Sequence, residues 1–168
     1  MSLFIAVDLP DKIKKKISLT QQKISNIKGL NPINTNNLHL TLVFIGEEDS
    51  NQIINKLKEI EIPSLNINIE GFGFFPDATN PKVLWLRVIN NTTLITLQRT
   101  ISKALNKEKD YNPYITLGRI KDITKDEFNQ IVDVLREFNP QSFETNNIYL
   151  YNSIKTNIGT IYNVIHKF

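Results

Sequence analysis

The chain contains no cysteine among its 168 residues. Disulfides, thiolate metal sites and a cysteine nucleophile are therefore excluded. Histidine is almost as scarce, because His39 and His166 are the only two in the sequence. A metal centre built from several histidines is consequently not expected, and the sequence predicts neither a metal nor another cofactor.

Long apolar runs are also missing from the sequence. No stretch approaches the roughly 20 apolar residues of a membrane-spanning helix. The segment SLFIAVDLP is too short for the apolar part of a signal peptide, and it lacks a basic flank and a small-residue cleavage site. We therefore expect a cytoplasmic protein with no membrane partner, and we also expect a monomer.

The composition is that of an ordinary folded domain. Hydrophobic residues make up 40% and charged residues 22% of the chain. A length of 168 residues suits one domain, or two small lobes that share a core. The net charge of +3 permits an anionic partner such as a nucleic acid without requiring one.

Hydrophobic periodicity predicts the same order of elements twice. In the first half we expect a strand over 3–7, a helix over 11–26, a loop at NPINTNN, a strand over 38–45, a helix over 47–60 and a half-buried strand carrying Leu65, Ile67 and Ile69. In the second half we expect a strand over 83–89, a helix over 91–107, a strand over 114–120, a helix after the capping-box pattern Thr124–Glu127, and strands near 142–151 and 159–167.

The repeated order divides the chain into halves at 3–75 and 83–151, with 159–167 as a closing strand. Duplication at this scale predicts one domain over 1–168 with two lobes related by an approximate two-fold axis. Each lobe is expected to be an antiparallel sheet with helices on one face. The predicted fold class is therefore α+β, with two antiparallel sheets, helices on the outer faces and a central groove.

Two short motifs lie at matching places in the two halves: His39-Leu40-Thr41-Leu42 and Tyr114-Ile115-Thr116-Leu117. Alternate residues of a strand share a face, so the first and third residue of each motif project together while the leucines and the isoleucine point into a core. If the two strands face each other, one imidazole, one phenol and two hydroxyls converge on a common groove. Such a groove is suited to binding a phosphate and moving a proton near it.

The motifs and their surroundings resemble the 2H phosphoesterase superfamily, most closely the RNA 2′,3′-cyclic phosphodiesterases, also called 2′-5′ RNA ligases. The segments that carry the resemblance are FIAVDLP, LHLTLVFIGE, GFGFFPDATNPKVLWLRV, NPYITLGRI and LYNS…GTIY. The resemblance implies a bilobal α+β fold that needs no metal and opens 2′,3′-cyclic phosphates at RNA ends to 2′-phosphates. Some relatives also join RNA ends through 2′-5′ linkages, so RNA ends or cyclic nucleotides are the expected partners.

The resemblance also implies roles for the motif residues. His39 matches the first motif histidine, which would donate a proton to the leaving 3′-oxygen, as a histidine can near neutral pH. Thr41 and Thr116 would hydrogen-bond the phosphate oxygens. The sequence departs from the family pattern at Tyr114, which replaces the second histidine and proton acceptor, and at Ser2, where relatives often have a basic residue. A phenol is almost wholly protonated at pH 7, so we expect weakened catalysis.

Two further residues are candidates with open alternatives. Arg119 reaches the phosphate only if its strand ends or bulges at Gly118, and a structural role is an equal alternative. Phe74 is a candidate for stacking on a nucleobase, although core packing is the ordinary role of such a residue. His166 lacks a threonine partner and is expected at the surface.

Two hypotheses for function remain at this point. The first is a cyclic phosphodiesterase weakened by Tyr114. The second is a non-catalytic protein that binds RNA ends or nucleotides on the same fold. A third, a duplicated scaffold for protein contacts, has no sequence feature in its favour.

Overall fold

A computed structural model describes residues 2–168. Its strands are β1 (Ser2–Asp8), β2 (Leu30–Pro32), β3 (His39–Gly46), β4 (Leu65–Phe75), β5 (Val83–Val88), β6 (Tyr114–Ile120), β7 (Gln141–Thr145), β8 (Ile148–Thr156) and β9 (Gly159–Lys167). Its α-helices are α1 (Asp11–Gln22), α2 (Ser50–Leu57), α3 (Thr92–Ala104) and α4 (Lys125–Arg136), and a 3₁₀ turn covers Thr35–Asn37. The α+β class predicted from the sequence is confirmed.

The helices are shorter than the periodicity predicts. The predicted helix over 11–26 ends at Gln22, because the backbone then continues in tight turns that keep Ile24 and Ile27 buried. The predicted helix over 47–60 covers only Ser50–Leu57, since the Asp49 side chain caps it by accepting from the backbone N–H of Gln52 at 2.9 Å. Buried apolar residues therefore extend past the ends of the helices that they predict.

The strands form two antiparallel sheets, with the orders β3-β1-β8-β9 and β2-β6-β5-β4-β7. Each motif strand lies beside the first strand of its own half, as β3 beside β1 and β6 beside β5. The last strand of each half crosses to the other sheet, so β4 joins β5 and β8 joins β1. The two halves of the sequence are thus interleaved, and neither sheet is built from one half alone.

Two local predictions are wrong for the same reason. The single strand predicted near 142–151 is two strands, because β7 pairs with β4 in one sheet and β8 pairs with β1 in the other. The segment predicted as a loop contains the end of β2 and the 3₁₀ turn, because Asn31 and Pro32 pair with the edge of β6. Both features depend on a partner strand that is distant in sequence.

One continuous cluster of buried apolar side chains joins both sheets and the helices. The inward residues of the two motifs, Leu40, Leu42, Ile115 and Leu117, belong to this cluster and are at most 2% exposed. The helices bury their apolar residues in the same cluster, which leaves the opposite face of the motif strands available.

Candidate active site

The structure brings the two motifs together. His39, Thr41, Tyr114 and Thr116 all line one cavity of about 350 Å³ between β3 and β6. The side chains alternate along each strand, so the polar residues face this cavity while the leucines and the isoleucine face the core. The polar side chains of both motifs therefore line the same cavity.

Two hydrogen bonds hold the His39 ring. Nδ1 lies 2.6 Å from the backbone carbonyl of Asn37, and Nε2 lies 2.9 Å from Oγ1 of Thr41. A carbonyl can only accept, so Nδ1 carries the hydrogen and Nε2 of the neutral ring accepts from the threonine hydroxyl. The nitrogen that can exchange a proton with a substrate is therefore the one beside Thr41.

The surroundings of His39 favour its neutral form. Burial lowers the pKa of His39 from its usual 6.5, against the opposing effects of the Asn37 carbonyl and of Asp8, while Lys14 lowers it further. The ring packs 5.0 Å from Phe4 and 5.1 Å from Tyr162 of β9, measured between ring centroids. An anion bound in the cavity would raise this pKa, because it stabilises the charged imidazolium.

Tyr114 occupies the position opposite His39. Its side chain is 37% exposed, with its ring 4.9 Å from that of Phe75 and 6.1 Å from that of Trp85. A phenol can donate its O–H hydrogen to a ligand and is a weaker base than an imidazole. The cavity therefore presents an imidazole on the β3 side and a phenol on the β6 side.

A β-bulge brings Arg119 to the cavity. In the pairing of β5 with β6, Leu84 faces Gly118 and Trp85 faces Thr116, so Leu117 is passed over. The extra residue reverses the alternation beyond it and places Arg119 on the face of Thr116. Arg119 lines the cavity and lies close enough to Tyr162 to oppose the increase in its pKa that burial causes.

The same irregularity occurs in β3, where Ile5 pairs with Val43 and Ala6 with Thr41. It turns Phe44 toward the cavity, where 54% of the side chain is exposed. Phe44 and Arg119 each follow the first residue of their motif by five positions. The reasoning from sequence missed Phe44, although this matched spacing in the two halves was available as a signal.

Phe74, the candidate for nucleobase stacking, does not line the cavity. Its ring packs 4.9 Å from Phe128 of α4, on the core side of β4. The next residue, Phe75, projects to the other face of the strand and lines the cavity instead. The run of phenylalanines in β4 did not reveal from sequence which ring faces which side.

The loop before β6 adds residues that sequence reasoning did not single out. Lys109, Asp110, Tyr111 and Asn112 all line the cavity. The Tyr111 hydroxyl donates to the backbone carbonyl of Thr41 at 3.0 Å and so links this loop to β3. Burial raises the pKa of that hydroxyl, which keeps it protonated as a donor.

The side chains of His166 and Lys14 do not line the cavity. His166 contacts Phe168, with ring centroids 4.8 Å apart, and Lys14 forms an ion pair with Asp8 at 2.8 Å. Within residues 2–168 there is no group of three or more His, Cys, Asp or Glu side chains that could hold a metal ion. In the same range no helix is long and apolar enough to cross a membrane.

Comparison with known proteins identifies the family of the chain. The family model for the 2′-5′ RNA ligase superfamily matches residues 10–157. The chain is 31% identical to the RNA 2′,3′-cyclic phosphodiesterase of Archaeoglobus fulgidus, over 100% of this chain and 99% of that protein. It is 33% identical to the RNA 2′,3′-cyclic phosphodiesterase of Methanocaldococcus jannaschii, over 99% of both proteins.

Solved structures show the same fold. The structure of TT0787 of Thermus thermophilus matches with a TM-score of 0.82 at 22% identity, covering 100% of this chain and 97% of that one. Escherichia coli LigT complexed with phosphate matches with a TM-score of 0.77 at 23% identity, covering 99% and 95%. From the family model and the two full-length relatives we conclude that this chain belongs to the 2′-5′ RNA ligase superfamily.

Proposed function

We propose that the protein is an RNA 2′,3′-cyclic phosphodiesterase, a hydrolase that opens cyclic phosphates at RNA ends to leave 2′-phosphates. The observation that carries the proposal is the single cavity into which His39, Thr41, Thr116 and Arg119 all project. The full-length relatives that bear this name support it. In this chemistry a P–O3′ bond breaks while a water oxygen attacks phosphorus from the opposite side.

His39 is the proposed general acid. Its Nε2 faces the cavity, and Nδ1 is fixed by the Asn37 carbonyl, so the ring can deliver a proton only from Nε2. Protonated His39 would donate to the leaving 3′-oxygen as its bond to phosphorus breaks. The lowered pKa makes this proton easy to release, although it also reduces the protonated fraction at neutral pH.

The other polar side chains bind the phosphate. The hydroxyls of Thr41 and Thr116 can donate to its non-bridging oxygens, and the guanidinium of Arg119 can balance the charge that develops on them. Phe44 offers an exposed ring on which the terminal base can stack, a contact worth about 1–3 kcal/mol. These side chains supply a proton donor, hydrogen-bond donors and a cation, and we propose that the step is independent of a metal.

Tyr114 makes the proposed reaction slow. The residue at its position would have to accept a proton from the attacking water, and a phenol is a poor acceptor at neutral pH. Its hydroxyl can still donate a hydrogen bond to the phosphate. This substitution is also the observation that favours the second candidate function, a protein that binds RNA ends or nucleotides without turnover.

The test is incubation of the purified protein with adenosine 2′,3′-cyclic phosphate and with cyclic-phosphate-ended RNA, with products separated by chromatography. We expect slow formation of the 2′-phosphate, and its loss in His39→Ala. His166→Ala is the matched control, because it removes the other histidine, which lies away from the cavity. Binding without turnover would favour the second function, and activity that survives in His39→Ala would contradict the proposed acid.

Joining of RNA ends through 2′-5′ linkages is a further proposed activity of the same site. An RNA 5′-hydroxyl would then take the place of water in the attack on phosphorus. Adding RNA with a free 5′-hydroxyl to the same incubation tests for it through the appearance of a longer product.

A further inference from the structure

A second cavity, of about 640 Å³, adjoins the first. It lies between the end of α1, residues 31–37 and the turn that joins β8 to β9. Ile33, Asn37, Arg119 and Tyr162 line both cavities, so the two spaces share a wall beside the candidate phosphate site. A ligand bound in the first cavity would therefore lie next to the second, with Arg119 and Tyr162 between the two.

The wall of the second cavity is polar and almost uncharged. Its side chains are mainly amides and hydroxyls, from Gln22, Ser18, Ser25, Asn31, Asn34 and Asn37. Arg119 supplies the positive charge, and none of the lining side chains in the described part of the chain is a carboxylate. Amides both donate and accept, so they can pair with base edges and ribose hydroxyls, while the absence of negative charge allows a phosphodiester to approach.

Hydrogen bonds hold this wall in place. The amide of Gln21 donates to the carbonyls of Ile33 and Leu117 at 3.0 and 2.9 Å, which ties α1 to the Asn-rich segment and to β6. The amide of Asn37 donates to the carbonyl of Thr160 at 2.7 Å, which ties the same segment to β9. A preorganised polar wall of this kind loses little entropy when a ligand binds.

The turn between β8 and β9 adds an apolar surface to the mouth of the cavity. Ile158 at its tip is 93% exposed, so packing against the rest of residues 2–168 does not account for an isoleucine there. The Thr156 hydroxyl donates to the Gly159 carbonyl at 2.6 Å and closes the turn. An exposed aliphatic side chain beside amides suits the flat face and polar edge of a nucleobase.

We propose that the second cavity binds the nucleotide on the 5′ side of the terminal one, so that the preferred substrate is an RNA strand and not a cyclic mononucleotide. Arg119, which borders both cavities, would contact the phosphodiester that joins the two nucleotides. This inference rests on the proposed function, because it concerns the same phosphate site.

The test compares kcat/KM for a short oligoadenylate with a cyclic-phosphate end and for adenosine 2′,3′-cyclic phosphate. We expect the oligonucleotide to be preferred by at least about fivefold, from the stacking and hydrogen bonding of one more base. Gln22→Glu should lower this preference about fivefold, because it places a carboxylate beside the bound phosphodiester. Gln52→Glu is the matched control: it is the same change at an exposed position of α2, and the preference should stay at the native value.

A second variant tests the apolar tip without adding charge. Ile158→Ser removes an exposed side chain and should lower the preference for the oligonucleotide while leaving thermal unfolding unchanged. Equal kcat/KM for the two substrates in the native protein, or a preference that neither Gln22→Glu nor Ile158→Ser reduces, would overturn the inference and leave the proposed function intact. Equal kcat/KM for the two substrates is also the result expected if the second cavity accommodates a protein segment.

Failure of the proposed function has a different signature, the absence of turnover of either substrate. In that case a fluorescein-labelled oligoadenylate with a 2′-phosphate end is titrated with protein, and its displacement by adenosine 2′-phosphate is measured. Tighter binding of the oligonucleotide that weakens in Gln22→Glu would uphold the second subsite. Equal affinity of the two ligands would refute it.

Discussion

Replacing Tyr114 with histidine should create an efficient hydrolase. The equivalent histidine in β3 shows what the new ring requires: His39 uses the carbonyl two residues before it and the threonine hydroxyl two residues after it, at 2.6 and 2.9 Å. The sequence around Tyr114 offers the same partners, because Asn112 precedes it and Thr116 follows it on the same strand face. An imidazole is also smaller than a phenol, so the cavity can accommodate it.

The expected gain in kcat is the contribution of a general base, which the phenol of Tyr114 does not supply. A positioned general base contributes about 10²- to 10⁴-fold to a hydrolysis rate. The carbonyl of Asn112 and the hydroxyl of Thr116 would hold the introduced imidazole at the cavity wall, where its second ring nitrogen can accept a proton from water. We expect kcat to increase at least about 10²-fold.

The assay is steady-state hydrolysis of adenosine 2′,3′-cyclic phosphate at pH 7. Tyr114→Phe is the matched control, since it keeps the ring and removes only the hydroxyl, and it should not exceed the native rate. The double variant Tyr114→His with His39→Ala should lose the gain, because the acid is then missing. If kcat of Tyr114→His increases less than about tenfold while thermal unfolding is unchanged, the residue at position 114 does not accept the proton of the attacking water, and the reasoning is refuted.

Two further predictions follow from the structure. His39 must be protonated to act as an acid and its pKa lies below 6.5, so kcat/KM of the native chain should rise as the pH falls through 6.5 and continue to rise below it; a rate that instead increases with pH over this range would make His39 a base. Gly29→Ala should lower the free energy of unfolding by about 2–3 kcal/mol in urea titrations, because a β-carbon there would overlap the backbone oxygen of Asp122. Gly46→Ala, at a φ of +92° in open space, is the comparison and should cost about 1–2 kcal/mol from the left-handed backbone alone, so a larger loss there than at Gly29 would contradict the steric argument.

The sequence predicted most of the elements because their signals are local. Period-two alternation located β6 to the residue, and the Thr124–Glu127 capping box located the start of α4. The ends of α1 and α2 were misplaced because Ile24, which is buried, and Ile60, which is partly buried, follow the same spacing without being helical. β2 could not be predicted, since its extended backbone is stabilised by pairing with β6 rather than by its own composition.

The residues of the candidate site likewise fall into those that the sequence identified and those that only strand pairing placed there. The paired motifs identified four of its side chains, because residue type and face follow from two short segments. The bulges that turn Phe44 and Arg119 into the cavity are set by the pairing of β3 with β1 and of β6 with β5. Tyr111 and Tyr162 reach the site from a loop and from β9, and no feature of their own segments marks them.

The sequence by itself determined the chemistry available to this protein: one imidazole and one phenol at matched motif positions, two threonines, and no thiol. Those properties are fixed by residue type and by a spacing of two along a strand. Only the tertiary structure decided that the last strand of each half crosses to the opposite sheet, and that both motifs face one cavity that shares lining residues with a second. Such arrangements depend on pairing between strands that are far apart in the chain, which no local pattern encodes.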